Sequence, residues 1–260
     1  MLPAQRQERI LEEVQRNGGV RVSDLTGLLG VSDMTVRRDL DTLARRGLVK
    51  KVHGGATLPR KGSTDEPGFQ VKSGQERPAK DAIAREAAEF LQPGTAVAVT
   101  AGTTTHAFAH HLARVPDLTV VTNSLPVAEV LDAFGRPDQT VVLTGGVRTP
   151  SDALVGPVAV QAIRSLHVDW AFMGVHGIHP EAGFTTPNLM EAETNRAVVD
   201  SARRLIVLAD HTKWEIVGLS TIAALEEASL LITDSGMAEA ARETLAARVG
   251  ELIVVEPQEN

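Results

Sequence analysis

Apolar positions recur along this chain with two periods, and the change of period divides it. At the start the spacing is helical. Ile10, Leu11 and Val14 share one face of a helix that Pro3 can open and Gly18-Gly19 can stop. Val20, Val22, Leu25, Leu28 and Leu29 form the next apolar set, with Ser23 placed as N-cap and Gly30 as C-cap. Ser32 caps a third helix, in which Val36, Leu40 and Leu43 fall at i, i+4 and i+7, and Gly47 ends it. Residues 48–52 then read as a strand, and His53-Gly54-Gly55-Ala56 as a Gly-Gly turn with a return strand.

Residues 58–78 carry little apolar periodicity and are rich in Pro, Gly, Ser and charge, which predicts a linker. A helix is expected from Lys80, with Ile83, Ala84, Ala87, Phe90 and Leu91 on it. Short β-like runs follow at 96–100, 118–122, 140–144, 169–173, 205–209, 230–233 and 252–255, mostly with helical segments between them. Strands alternating with helices predict a mainly parallel sheet covered on both faces. The predicted domains are therefore 1–57, a linker at 58–78, and an α/β body at 79–260.

Two short helices joined by Gly30-Val31-Ser32 form a helix-turn-helix pattern. The second helix of such a pair enters the DNA major groove with its N-terminal residues near base edges. Ser32, Thr35, Arg37 and Arg38 occupy that end, and an arginine there can grip guanine or a phosphate. Read instead as a solvated helix face, the two arginines would have Asp39 and Asp41 as surface ion partners. Lys50 and Lys51 lie on the hairpin and suit a wing that touches the backbone.

Charge sharpens this division. The net charge of −7 argues against nucleic acid as a partner until it is split. Residues 1–60 hold 11 Lys+Arg against 7 Asp+Glu, and the remaining residues hold 15 against 26. A basic head is joined to an acidic body, a distribution that fits DNA contact by the head alone. Without cysteine the chain has no disulfide, no thiolate nucleophile and no Cys-based zinc site. No apolar run reaches the ~18 residues of a membrane span, and the first residues lack a signal-peptide core, so a cytoplasmic location is expected.

The loops at the carboxyl ends of the strands carry the body's chemistry. Gly102, Thr103, Thr104 and Thr105 open a helix whose free N–H groups suit an anion. Asn123 and Ser124 follow the second strand, Gly145, Gly146 and Arg148 the third, and Lys213 a later one. Polar, Gly-rich loops with two cations at successive strand ends fit a small phosphorylated ligand. No Walker A motif, Rossmann fingerprint or Gly-x-Ser-x-Gly elbow is present. His106 and His110 have i,i+4 spacing without the glutamate of a zinc motif, and His176 and His179 read as ordinary loop residues. No catalytic set, metal site or cofactor is therefore predicted.

The stretch VSDMTVRRDLDTLARRGLVKKVHGGA resembles the helix-turn-helix signature of the DeoR family of bacterial sugar-metabolism regulators. Ser32, Thr35, Arg37, Arg38, Asp39, Leu40, Gly47, His53, Gly54 and Gly55 carry the likeness. The body resembles the same family's effector domain through AGTTT at 101–105, VVTNS at 120–124, LTGG at 143–146 and ADHTK at 209–213. The resemblance implies a winged helix-turn-helix followed by a domain similar to the ribose-5-phosphate isomerase and CoA-transferase fold. It further implies a repressor of a carbohydrate operon that binds double-stranded operator DNA through the head, His53, Gly54 and Gly55 included. Release by a phosphorylated sugar and assembly as a homodimer or homotetramer are expected. The chain departs from the family at Thr100, where Asp is usual, and at Asn195, where Lys is usual, so the pocket's charge should differ. The rival readings are an isomerase-like enzyme with an appended head and an architectural DNA-binding protein with no ligand.

Overall fold

A computed structural model describes residues 2–17, 19–52, 54–57, 63–64 and 68–258. They form two compact units, 1–62 and 63–260. His53 lies outside the described residues.

The first unit contains α1 (Pro3–Asn17), β1 (Gly19–Arg21), α2 (Val22–Leu29), α3 (Asp33–Arg45), β2 (Lys50–Val52) and β3 (Gly55–Thr57). The expected inward faces meet in one core of Ile10, Val14, Leu25, Val36, Leu40 and Leu43. Gly30 ends α2 in the left-handed region, and Ser32 accepts the Thr35 N–H at the start of α3. The sequence placed Val20 with the second helix and Ser23 as its cap, and both placements are corrected. Val20 belongs to β1, which pairs with β3 in a sheet of order β1-β3-β2. The Val22 N–H donates to Gly54 O at 2.8 Å, so α2 starts from Arg21 and Ser23 turns to Asp24. Gly55 permits this pairing, because a Cβ there would sit 2.0 Å from Val20 O. Leu40 is 1% exposed in this small core. Leu40→Ala is expected to cost about 2–5 kcal/mol and to unfold the head before the body in a thermal melt. Coincident melting of both units at the unchanged temperature would contradict it.

The second unit begins with α4 (Phe69–Ser73) and α5 (Arg77–Ala88), where the sequence predicted a linker as far as residue 78. Hydrogen bonds from Phe69 N to Pro150 O and from Lys72 Nζ to Ser151 Oγ tie α4 to the body. Next come β4 (Ala96–Val99), α6 (Thr103–Leu112), β5 (Thr119–Thr122), α7 (Leu125–Phe134) and β6 (Thr140–Leu143). A hairpin of β7 (Val147–Arg148) and β8 (Leu154–Val155) leads into α8 (Pro157–Arg164) and β9 (Val168–Gly174). Then follow β10 (Gly177–His179), β11 (Gly183–Thr186), α9 (Leu189–Ser201), β12 (Ala202–Leu208) and β13 (Ser220–Ala223). The unit closes with β14 (Ala228–Asp234), α10 (Glu239–Ala246) and β15 (Leu252–Val255).

All seven predicted strands pair in parallel in the order β15-β14-β12-β9-β4-β5-β6. Successive residues serve opposite faces, as strand geometry requires. Val97 and Val99 join Ile83, Phe108, Leu112 and Val127 on one side, while Ala98 joins Val160, Ile163 and Val198 on the other. Phe108 and Phe172 stack with ring centroids 4.4 Å apart. Trp170 and Phe172, two apart on β9, pack on the same side of the sheet, with the Arg204 guanidinium 5.2 Å from the Trp170 ring. The small sheet β10-β11-β13 and the β7-β8 hairpin were not expected, and they place His179 at the end of a strand rather than in a loop. The chain builds outward from β4 through β5 to β6, then returns beside β4 with β9 and builds the other way. The order therefore reverses between β4 and β9, where the loops beyond the strand ends must part.

Candidate functional site

The head presents one polar face on α3. Ser32 and Thr35 share a hydroxyl contact of 2.9 Å at its start, and Arg37 and Arg38 are exposed one turn on. The two arginines differ. Arg37 Nε donates to Asp33 Oδ1 at 2.5 Å, an exposed i,i+4 pair, whereas nothing among the described residues pairs with Arg38. On the wing Lys51 donates to the Asp41 carboxylate, which lowers the Asp41 pKa, and Lys50 stands exposed. Asp39 corrects an expectation. It is 4% exposed and turns inward, where Arg6 Nε donates to it at 2.5 Å and Gln7 Nε2 at 3.1 Å. Its place beside Leu40, on the flank of the buried face, points it at α1 instead of at Arg37 or Arg38. Gly54, at φ +77°, and the buried Gly55 shape the wing turn.

In the body a cleft partly open to solvent lies at the reversal point between β4 and β9. Gly102, Thr103 and Thr104 line it from the start of α6, and Gly174, Val175 and His176 from the loop after β9. No side chain caps α6, which leaves its first amides to the cleft. Lys213 lines it from the loop after β12 and Lys72 from α4, with Ser151 beside Lys72. Thr186, Glu191 and Asn195 complete the wall from β11 and α9.

Four of the ten expected ligand residues, Gly102, Thr103, Thr104 and Lys213, thus reach the cleft. The other six build its surroundings. Thr105 is fully buried and donates to Gly102 O at 3.0 Å. Asn123 accepts the Ala101 N–H at 3.0 Å and donates to Leu154 O at 3.1 Å, which fixes the loop from behind. Ser124 caps α7. Gly145 and Gly146 take φ of +72° and +125°, and a Cβ on Gly146 would meet Val155 O at 2.6 Å. Arg148 is held by Asp152, at 2.7 Å from Nε, on the exposed hairpin. Thr100 also lies outside the wall: fully buried, it accepts the Gly174 N–H at 3.2 Å and so steadies the loop that does line the cleft.

Charge is concentrated around Asp210, which is 0% exposed. Lys213 Nζ lies 3.9 Å from its Oδ2. Burial pushes the Lys80 ammonium down to about 8, Asp210 pulls it back, and Lys213 adds to the fall. Lys80 Nζ donates to Lys72 O at 2.7 Å and to Gln75 O, which anchors the end of α4. Sequence reasoning missed Phe69 and Lys72 because a one-turn helix leaves no periodic signal inside a polar segment. Glu191 was missed too, although its i,i+4 spacing from Asn195 could have placed both on one helix face.

Beside this cluster His211 Nδ1 and Asp234 Oδ2 are 2.7 Å apart. The hydrogen bond to Asp234 raises the His211 pKa above its ordinary 6.5. Burial pushes Asp234 up, but hydrogen bonds from the His211 ring and backbone outweigh it and hold the carboxyl below its ordinary range. The histidine's contribution is complete below pH 6.5 and is lost as pH rises through the raised folded-state value. The aspartate's contribution is complete above its ordinary pKa and is lost as pH falls through the lowered one. The melting temperature of the body should therefore decline on the alkaline side of 6.5, and His211→Asn should flatten that slope. An identical slope in the variant would remove the pair from the account.

Among the described residues no helix is long and apolar enough to cross a membrane, and no group of three His, Cys, Asp or Glu is placed to hold a metal. His106 and His110 stack edge-on, with Phe69 against the first and Phe134 against the second. The head matches the family model of the DeoR-like helix-turn-helix domain over residues 6–61, and the body that of the DeoR C terminal sensor domain over 75–235. The chain belongs to the DeoR family. This DeoR-family chain is 36% identical to the uncharacterized HTH-type transcriptional regulator YgbI of Escherichia coli K12, over 98% of each chain. It is 37% identical to the HTH-type transcriptional regulator GlpR of Haloferax volcanii, over 94% of this chain and 95% of that one. The Glycerol-3-phosphate regulon repressor of Escherichia coli K12 is 30% identical over 90% and 92%. The present chain is a DNA-binding transcriptional regulator with a winged head and a sensor domain. Among solved structures, a ribose-5-phosphate isomerase bound to phospho-erythronic acid aligns at a TM-score of 0.39 and 17% identity, over 52% of each chain. The translation initiation factor eIF-2B of Pyrococcus horikoshii OT3 aligns at 0.43 and 15%, over 83% and 74%.

Proposed function

We propose that this regulator represses a carbohydrate-metabolism operon and leaves its double-stranded operator when a small phosphorylated sugar fills the cleft. The observation that carries this reading is the pairing of an open cation face on α3 with a cation-lined cleft at the sheet's reversal point. In the head, Arg38 reads a base edge and Ser32, Thr35 and Arg37 flank it, while Lys50 and Lys51 touch phosphates. In the body, the phosphate lies against the α6 amides, the hydroxyls of Thr103 and Thr104, and the ammonium groups of Lys72 and Lys213. The sugar is a signal and not a substrate, in keeping with relatives named as regulators. The protein works in the cytoplasm as a homodimer or homotetramer, since symmetric half-sites are read by symmetric heads.

Coupling runs through α4. Phe69 and Lys72 stand on the first helix of the sensor unit, directly after the segment that leads from the head. A ligand that prefers one placement of α4 shifts the heads' fit to the operator by its difference in affinity for the two placements. Selection of bound fragments from genomic DNA, repeated with sugar phosphates added, tests the whole reading. The expected outcome is one enriched site family near sugar-metabolism genes, lost with one class of sugar phosphate. Enrichment that no sugar phosphate alters would defeat it.

A further inference from the structure

We propose that Glu191 and Asn195 select a ligand with a single anionic group and an uncharged, hydroxylated end. The inference rests on the reading of the cleft as the effector site and names what that site accepts. Glu191 and Asn195 stand one turn apart on α9, so their side chains share a helix face, and both line the cleft. Asn195 is 3% exposed, and its Oδ1 is shielded from solvent with no hydrogen bond among the described residues. Buried polar atoms in folded proteins are almost always paired. Asp210 Oδ2 and Thr233 Oγ1 share this state, but neither residue lines the cleft.

The Asn195 amide offers this unpaired acceptor beside its Nδ2 donor, so a hydroxyl, which both donates and accepts, completes it. The neighbouring Glu191 carboxylate is also an acceptor, and the Thr186 hydroxyl donates to it at 2.9 Å. Phosphate and carboxylate oxygens only accept, and at this wall they would meet the like charge of Glu191. Sugar and polyol hydroxyls bring the required O–H. The cations of the cleft, Lys72 and Lys213, accommodate one anionic group. The cations come from α4 and the loop after β12, whereas Glu191 and Asn195 come from α9. A bisphosphate or a phosphorylated sugar acid places its second anion against α9, whereas a monophosphate places hydroxyls there.

Isothermal titration of the full-length protein decides this, with sugar and polyol monophosphates, the corresponding bisphosphates and inorganic phosphate as probes. The best monophosphate is expected to bind at least about tenfold more tightly than its bisphosphate, and far more tightly than inorganic phosphate. Asn195→Leu should weaken the monophosphate about tenfold and leave inorganic phosphate unchanged. Glu191→Gln should narrow the gap between bisphosphate and monophosphate. Both readouts are ratios between ligands on one protein, which a general loss of folding does not produce. A bisphosphate that binds as tightly as the monophosphate overturns the selectivity while leaving the effector site standing. If no probe binds, the effector site falls and the selectivity with it.

Discussion

Arg38→Ala weakens operator binding by about 1–3 kcal/mol, the range for a lost base contact, while the melting curve of the head stays in place. The expectation follows from the difference between two adjacent arginines. Arg37 already donates to Asp33, and its exposed pair can be exchanged for a phosphate at little cost. Arg38 has no partner among the described residues and lies one turn beyond the Ser32-capped start of α3. A free guanidinium near the N-terminal end of a recognition helix meets base edges bidentately. Arg37→Ala should therefore cost less and act equally on all sequences. Lys50→Ala should lower the salt slope by about one unit without changing base preference. The measurement is fluorescence anisotropy at several salt concentrations, with operator and scrambled duplexes side by side. Equal losses on both duplexes for Arg38→Ala would move that side chain to the backbone.

The second large effect is expected in the body. Lys72→Met combined with Thr104→Val keeps the side-chain volumes but removes an ammonium and a hydroxyl from the cleft. One charge-assisted and one neutral hydrogen bond together contribute about 2–4 kcal/mol, so effector affinity should fall roughly 30-fold or more. Asp210, Lys80 and Lys213 are themselves unchanged, and the Lys72 carbonyl that accepts from Lys80 stays in place, although the lost Lys72 charge no longer lowers the Lys80 pKa. Operator binding without effector should match the parent, because the head has its own core. The double variant is thus expected to bind DNA normally and to stay bound at effector concentrations that release the parent. Normal release would place the phosphate elsewhere.

The reading of the sequence succeeded where one residue's role is set by its neighbours along the chain. The Ser32 cap, the Gly30 stop and the spacing of Val36, Leu40 and Leu43 are local, and each appears as expected. The seven parallel strands were equally legible as short apolar runs, the five inner ones largely buried between the layers and the edge strand β6 mostly exposed. Errors arose where a residue's role depends on a distant segment. Ser23 lost its cap because β1 pairs with β3, more than thirty residues away. Asp39 turned inward because Arg6, on another helix, met it there. Asn123 and Arg148 stand at strand ends as ligand residues do, yet they bond to neighbouring backbone or side chains, and Gly146 lies close against Val155.

By itself the sequence determined the division into a basic reader and an acidic sensor, the helix-turn-helix and the run of parallel strands. Those features rest on periodicity, caps and charge counts, which act over one or two turns of chain. Only the tertiary structure decided which polar groups meet. It brought Lys72, from a segment that reads as linker, to the same cleft as Thr104, Lys213 and Asn195. It left Arg38 open and closed Arg37 and Lys51 with carboxylates. The physical reason is the reversal of strand order between β4 and β9. That reversal opens a crevice at a place fixed by sheet topology, and the crevice collects loops whose separation along the chain hides their proximity.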